Sequence, residues 1–353
     1  MSADKDILFS PPFASGVKRI LSLDGGGIRG TCPAAFLTTL EDDLPEPIGK
    51  YFDLITGTST GAILALGLAM GIPAKELHAL YVEKGPQIFG RPGTAPIWEW
   101  FLSNIVLPFK HAFAPKHDAD NLRAAIEPIL KGLTIGDAQT RLVIPAWDAD
   151  LKSVYLYKTA HHPRFTTDHK KPALDAAMGS SAAPTYFKRH RTSDDIGLID
   201  GGVWANNPTA IAVVEAISVL GWPADGLRVL SLGCIDEVYM LPESPGIVGL
   251  PFFKKGLGPK IINLMMDGQS RGALGMAKLL TQHGPKHAAL YRIDAHAPAN
   301  FFSLDDTTKI QRLSGIGAAM ARREKPNLMP VFFDQPAAPF IPSVSQIRRK
   351  KAS

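Results

Sequence analysis

The chain has only two cysteines in 353 residues, too few for a disulfide framework. Cys32 and Cys234 both lie beside apolar runs, where a thiol serves as a small buried hydrophobe, and an unpaired pair of this kind suits a reducing cytosol. Long hydrophobic runs are missing as well. None approaches the roughly 18 residues that a membrane span needs, and the first thirteen residues mix charges and prolines without the apolar core of a signal peptide. These absences make a soluble, cytoplasmic protein the expectation. No tight group of His, Cys, Asp and Glu has metal-ligand spacing, so no metal is expected. There is no internal repeat and no low-complexity stretch. Excess charge of one sign is small: a net +5 with a pI near 9.1 gives no sign of a nucleic-acid partner but would suit an anionic lipid surface. Four of the positive charges stand in a row at Arg348, Arg349, Lys350 and Lys351, and residues 341–353 read as a flexible, solvated tail.

What is present is a rhythm of short apolar runs alternating with helical patterns, the signature of a mostly parallel sheet covered on both faces. Strands are expected at Lys18–Asp24, Phe52–Thr56, Ile196–Asp200, Leu227–Gly233 and Leu290–Asp294, with a strand pair at Arg141–Asp148 and Val154–Thr159. Helices are expected at Thr31–Asp43, Ala62–Met70, Pro208–Leu220, Lys260–Leu280 and Leu304–Arg322. Two Pro- and Gly-rich stretches, Gly85–His117 and Tyr239–Pro259, interrupt the rhythm. Long insertions in a compact domain are usually lids or binding loops. Their aromatics, Trp98 and Trp100 in the first and Phe252 and Phe253 in the second, are candidates for contact with a membrane; the plain alternative is that they fill satellite cores under a loop.

Three glycine-framed motifs carry the chemistry. Asp24-Gly25-Gly26-Gly27-Ile28-Arg29-Gly30 follows the first apolar strand, Gly57-Thr58-Ser59-Thr60-Gly61 follows the second, and Asp200-Gly201-Gly202 ends a third. Gly-x-Ser-x-Gly between a strand and a helix is a nucleophile elbow, in which glycines let backbones approach closely around the serine. A Gly-rich loop beside it can aim N–H groups at a developing oxyanion. The plain reading of Ser59 is a helix cap. Taken alone, Gly25-x-Gly27-x-x-Gly30 also fits a dinucleotide fingerprint, which makes a dinucleotide-binding protein the alternative of another class. That reading needs an acidic residue at the end of the second strand, and Asp53 stands at its beginning. A serine nucleophile needs a base. Asp200 is one candidate; a Ser-Asp-His triad using His283, His287 or His296 is the other, and the residues leave this choice open.

The three motifs, with Ala182-Ala183-Pro184-Thr185-Tyr186-Phe187 ahead of the third, resemble the signatures of the patatin-like phospholipases over about residues 18–235. The resemblance implies a three-layer α/β/α sandwich with a central, mostly parallel sheet, the patatin-like variant of the α/β hydrolase fold. It places a catalytic core at 16–235, with residues 236–340 packed on the same domain as a lid or regulatory part. It implies a phospholipase A or lipid acyl hydrolase that works through an acyl-enzyme. Ser59 would be the nucleophile and Asp200 the base, with an oxyanion hole drawn from Gly25, Gly26, Gly27 and Arg29. Gly30, Gly57, Gly61, Gly201 and Gly202 complete the motifs. The stretch from Leu198 through Asn206-Asn207-Pro208 to Cys234 further resembles bacterial patatin-like effectors of anti-phage defence. Those are switched on by a cyclic dinucleotide and degrade membrane phospholipids. The expectations are therefore a membrane phospholipid substrate met at the inner membrane surface, no cofactor, a cyclic dinucleotide activator and room for self-association. A constitutive lipid acyl hydrolase is the competing reading. Lys254, Lys255, Lys260 and Arg271 are the cations from which a nucleotide site could be drawn.

Overall fold

A computed structural model describes residues 16–89, 117–238, 257–281, 290–298 and 301–343. Eight of its ten strands form one mixed sheet. In chain order these are β1 (Lys18–Leu23), β2 (Leu54–Gly57), β3 (Arg141–Asp148), β4 (Ser153–Lys158), β5 (His190–Arg191), β6 (Gly197–Asp200), β7 (Leu227–Leu232) and β9 (Leu290–Ile293). β3, β2, β1, β7 and β9 run parallel side by side, and β4, β5 and β6 join antiparallel at the β3 side. β8 (Asp236–Val238) and β10 (His296–Pro298) pair separately.

The alternation of side chains along a strand sorts the apolar residues onto two faces. On one face Leu21, Leu23, Ile55 and Leu230 are buried in a large core with the helices α1 (Thr31–Glu41), α2 (Thr60–Ala69), α3 (Ala74–Phe89), α4 (Ala119–Leu130) and α5 (Ala173–Ser181). On the other, their neighbours Ile20, Leu54 and Val229 pack with Ala212, Val213 and Ala277. Those belong to α7 (Thr209–Val214) and α8 (Leu257–Thr281), which follow the single-turn α6 (Gly202–Ala205). Two cores, one on each face of a sheet, make three layers. α9 (Ile310–Phe332) packs along α1, so the chain beyond residue 235 supplies both a sheet strand and a core helix.

Some boundaries differ from the sequence pattern. The helix expected over 304–322 starts at Ile310 and runs on to Phe332, through Pro326 and Pro330, because Leu328 and Phe332 are fully buried on the sheet-facing side of its last turns. The insertion read from Gly85 begins inside α3, which carries Pro86. The helix expected over 208–220 ends at Val214, and a π turn, Glu215–Val219, follows. There the Glu215 carboxylate is turned inward onto Lys158 and His161, at 2.6 and 2.9 Å. Both cysteines are buried and unbonded to each other. No described helix is long and apolar enough to cross a membrane. Trp98, Trp100, Phe252, Phe253, Lys254, Lys255, His283, His287 and the basic tail lie outside the described residues.

Candidate active site

β3 brings the site together. Its edge away from β4 is shared end to end by two strands: β2 pairs with its first half, Leu54 opposite Arg141, and β6 pairs antiparallel with its second, Asp200 opposite Ala146. Because β2 and β6 run toward each other along that edge, the turn leaving β2 and the last residue of β6 must meet. The turn is Gly57–Gly61 and the residue is Asp200.

Ser59 sits in the turn with φ 55° and ψ −121°, a strained conformation for any residue but glycine. It precedes α2, yet its side chain caps nothing, which removes the helix-cap reading. The turn is held by close backbone packing: a Cβ on Gly61 would stand 2.3 Å from the Leu23 carbonyl oxygen. The Ser59 N–H donates to Ser180 Oγ at 3.1 Å, and Ser180 donates in turn to the Pro145 carbonyl at 2.6 Å. Thr58 Oγ1 donates to the Ala205 carbonyl at 2.6 Å. Ser180 lies on α5 and belongs to none of the glycine motifs, so the sequence held no signal for its role.

Asp200 is buried, and its carboxyl accepts the Gly202 N–H at 2.6 Å. Burial raises its pKa from an ordinary 3.8 to about 6, against hydrogen bonds from the Ser59 side chain and from Gly202. A carboxyl poised near neutrality beside a serine hydroxyl can take that proton and return it. The thiols cannot compete as nucleophiles: burial pushes Cys32 up to about 12 and Cys234 well above its ordinary range.

The first glycine motif passes beside Ser59, with the place of a Gly25 Cβ 3.3 Å from Ser59 Cβ. Not all its N–H groups are free to face an oxyanion. Gly25 donates to the Asn206 carbonyl at 3.0 Å, Ile28 to that of Leu304 at 2.9 Å, and Arg29 to that of Gly26 at 3.1 Å. The expected donors Gly25 and Arg29 are therefore occupied, while the N–H groups of Gly26 and Gly27 have no partner among the described residues. Gly27 has φ +56°, and a Cβ there would meet the Leu304 carbonyl oxygen at 2.3 Å, so the loop needs glycine at that point.

Ser59 and Asp200 line an apolar cavity of about 360 Å³, walled by Ile63, Leu80, Ile88, Phe89, Leu122 and Ile126. The cavity is apolar enough to hold a hydrocarbon chain. No histidine among the described residues lines it. His296 lies elsewhere, largely exposed, 3.8 Å from Asp236. Asp53, which a dinucleotide reading would need at a ribose, is buried and bound to Lys18 and to the Arg19 N–H, both at 3.0 Å. No group of three or more His, Cys, Asp or Glu among the described residues could hold a metal ion.

One buried assembly was not visible in the sequence pattern. Asp24, which opens the glycine loop, is bound to Arg292 at 2.7 Å, and Arg292 also reaches Asp294 at 2.6 Å and Ser231 at 3.0 Å. Burial raises the Asp24 carboxyl to about 6 although Arg292 opposes the shift, and its Oδ1 has no hydrogen-bond partner. The loop is thus anchored to β9, far along the chain.

A family description of patatin-like phospholipases matches residues 21–213, which span both the glycine loop and the Asp200 turn. The chain belongs to the patatin-like phospholipase family. It is accordingly a hydrolase of lipid esters, with the fold of that family. Its relatives include the cGAMP-activated phospholipase of Escherichia coli (strain TW11681), 32% identical over 347 residues, covering 91% of this chain and 94% of that one. The cGAMP-activated phospholipase of Vibrio cholerae is 31% identical over 350 residues, covering 91% and 96%. The protein of the same name from Pseudomonas aeruginosa is 39% identical over 215 residues. That match spans 61% of each chain, about three fifths of the relative's length.

Proposed function

We propose that this patatin-like phospholipase cleaves membrane phospholipids through a Ser59–Asp200 dyad and an acyl-enzyme. Asp200 takes the hydroxyl proton as Ser59 Oγ attacks the ester carbonyl carbon. The tetrahedral oxyanion is met by the Gly26 and Gly27 N–H groups, at the N-terminal end of α2 where the helix dipole favours negative charge. The protonated Asp200 then gives its proton to the departing alcohol of the lysophospholipid. Water, deprotonated by the same carboxylate, releases the fatty acid from Ser59. The acyl chain lies meanwhile in the apolar cavity. The observation that carries this reading is that Ser59 and the buried carboxyl of Asp200 stand together at the wall of that cavity.

Activation by cGAMP, in the manner that the relatives' names describe, is the second part of the proposal; it is supported by relatives that align along nearly the whole chain. A phospholipase acting at the inner surface of its own membrane must rest inactive, which fits a role in anti-phage defence. To shift an enzyme from 1% to 99% active, the ligand must favour the active state by about 5.5 kcal/mol. The test is phospholipid hydrolysis by the full chain, alone and with a panel of cyclic di- and trinucleotides. Hydrolysis should appear with cGAMP and vanish in Ser59→Ala and in Asp200→Asn. Full activity without nucleotide and no response to the panel would leave a constitutive hydrolase. Activity retained in Asp200→Asn would overturn the dyad.

A further inference from the structure

Beside the glycine loop a second cavity, of about 280 Å³, has the opposite chemistry. Asn206 and Met266 line both cavities, and Gly25 borders the second while Gly26 and Gly27 border the first. The second cavity is lined by Arg29, Arg271 and Arg292, by Asp24, Asp236, Asp267 and Asp294, and by His296, 3.8 Å from Asp236. Four carboxylates against three guanidiniums and one imidazole leave no surplus of positive charge, so the cavity is ill suited to a ligand that is only anionic.

The individual charges are not equally committed. Arg292 is fully engaged with Asp24, Asp294 and Ser231. Arg29 uses Nε and Nη1 on two backbone carbonyls, at 3.4 and 3.3 Å, and has no carboxylate partner among the described residues. Arg271 is paired with Asp236 at 3.0 Å, but its side chain is 75% exposed. Exposed pairs of this kind are weakly held, because water screens the attraction. Such a pair opens readily for a ligand that brings both charges, each guest charge replacing one host partner. The buried Oδ1 of Asp24 is a further polar group in the cavity wall, with no hydrogen-bond partner among the described residues.

We propose that this cavity is a head-group subsite and that it takes a zwitterionic head group, a phosphodiester joined to a primary ammonium. The phosphate lies between Arg29 and Arg271, and the ammonium replaces Arg271 at Asp236. An apolar and a charge-balanced cavity meeting beside Ser59 match the two ends of a diacyl phospholipid: acyl chain in one, head group in the other. The size fits. Pockets for small ligands run to about 300–1,000 Å³, and 280 Å³ holds a compact head group. The assignment rests on the Ser59 reading, which fixes where the ester sits.

The test compares kcat/KM of the full chain, with cGAMP present throughout, on phosphatidylethanolamine and phosphatidylglycerol in the same detergent micelles. A soluble short-chain ester without a head group serves as the reference. Wild type should prefer phosphatidylethanolamine by about tenfold or more. The double variant Asp236→Lys with Arg271→Glu keeps an ion pair at this place but reverses its polarity. If the pair is merely structural, the preference survives the reversal; if it reads the head group, the preference falls to parity or inverts. No preference in wild type, or a wild-type preference in the reversed pair, would overturn the proposal. Equilibrium binding of glycerophosphoethanolamine and glycerophosphoglycerol to the unaltered chain, read by NMR, needs neither turnover nor a foldable variant. The former should bind several-fold tighter and should not be displaced by cGAMP. Equal binding refutes the head-group assignment, and one-for-one displacement by cGAMP gives the cavity to the nucleotide instead. Selective binding without hydrolysis of any substrate would count against the Ser59–Asp200 chemistry and leave the subsite standing.

Discussion

Replacing Asp200 with Asn should make the protein inactive and, above pH 6, more stable. The carboxyl is fully buried and its pKa is raised from 3.8 to about 6. In the unfolded chain it ionises near its ordinary value. Below that value both states are protonated and burial of the carboxyl imposes no ionisation cost. Between about 4 and 6 the unfolded chain ionises first, and folding loses stability with rising pH. Above about 6 both states are ionised and the full cost is carried, about 3 kcal/mol at ~1.4 kcal/mol per pH unit. Asn keeps the shape and an acceptor for the Gly202 N–H but never ionises. The difference in unfolding free energy between Asp200→Asn and wild type, from urea titrations, should be near zero at pH 4 and approach about 3 kcal/mol in favour of Asn at pH 8. The same pKa governs wild-type activity. The base must be ionised, so kcat/KM on a soluble ester should rise through pH 6, from about a tenth of its plateau at pH 5 to about nine tenths at pH 7. A stability difference that does not change with pH, or a flat activity profile from pH 5 to 7, would mean that the Asp200 carboxyl does not ionise near pH 6.

Ser59→Ala should lower kcat on the order of 10³-fold or more with the fold unchanged by circular dichroism, since only the oxyanion donors and binding remain. Ser59→Gly should be equally inactive but more stable in urea by about 1–3 kcal/mol, because glycine relieves the strain at φ 55°; a loss of stability would mean that the turn stores none. Arg292→Gln strands the buried Asp24 carboxylate and should cost about 3–5 kcal/mol at pH 8. The loss should be smaller at pH 5, where Asp24 can stay protonated; a pH-independent loss would point to packing instead of charge. Hydrolysis of a soluble ester should survive EDTA, since the dyad uses no metal, and abolition by the chelator would contradict the mechanism.

How much was legible beforehand follows from what each residue does. The glycine motifs could be read because only glycine serves where backbones close to within contact, as at Gly61, or where φ is positive, as at Gly27. Strands and their two faces could be read from alternation, Ile20 against Leu21 and Leu54 against Ile55. Helix boundaries near proline could not. Pro86, Pro326 and Pro330 signal helix ends in a local reading, but burial of residues around them, such as Ile88, Leu328 and Phe332, overrides that signal. The choice between a dyad and a triad was also beyond the residues alone. What the structure adds is that β2 and β6 share one edge of β3, a pairing register that brings Asp200 beside the Ser59 turn across more than half the length of the matched segment. Ser180, Arg292 and Asp294 had no motif at all, because a serine on a helix or a charge near a strand end is ordinary until folding gives it a buried partner. Local chemistry, the need for glycine, alternation and a nucleophile's turn, was determined by the sequence itself. Which acid faces the nucleophile, which N–H groups remain free and which charges are buried were decided by the tertiary structure, since each depends on contacts between segments distant along the chain.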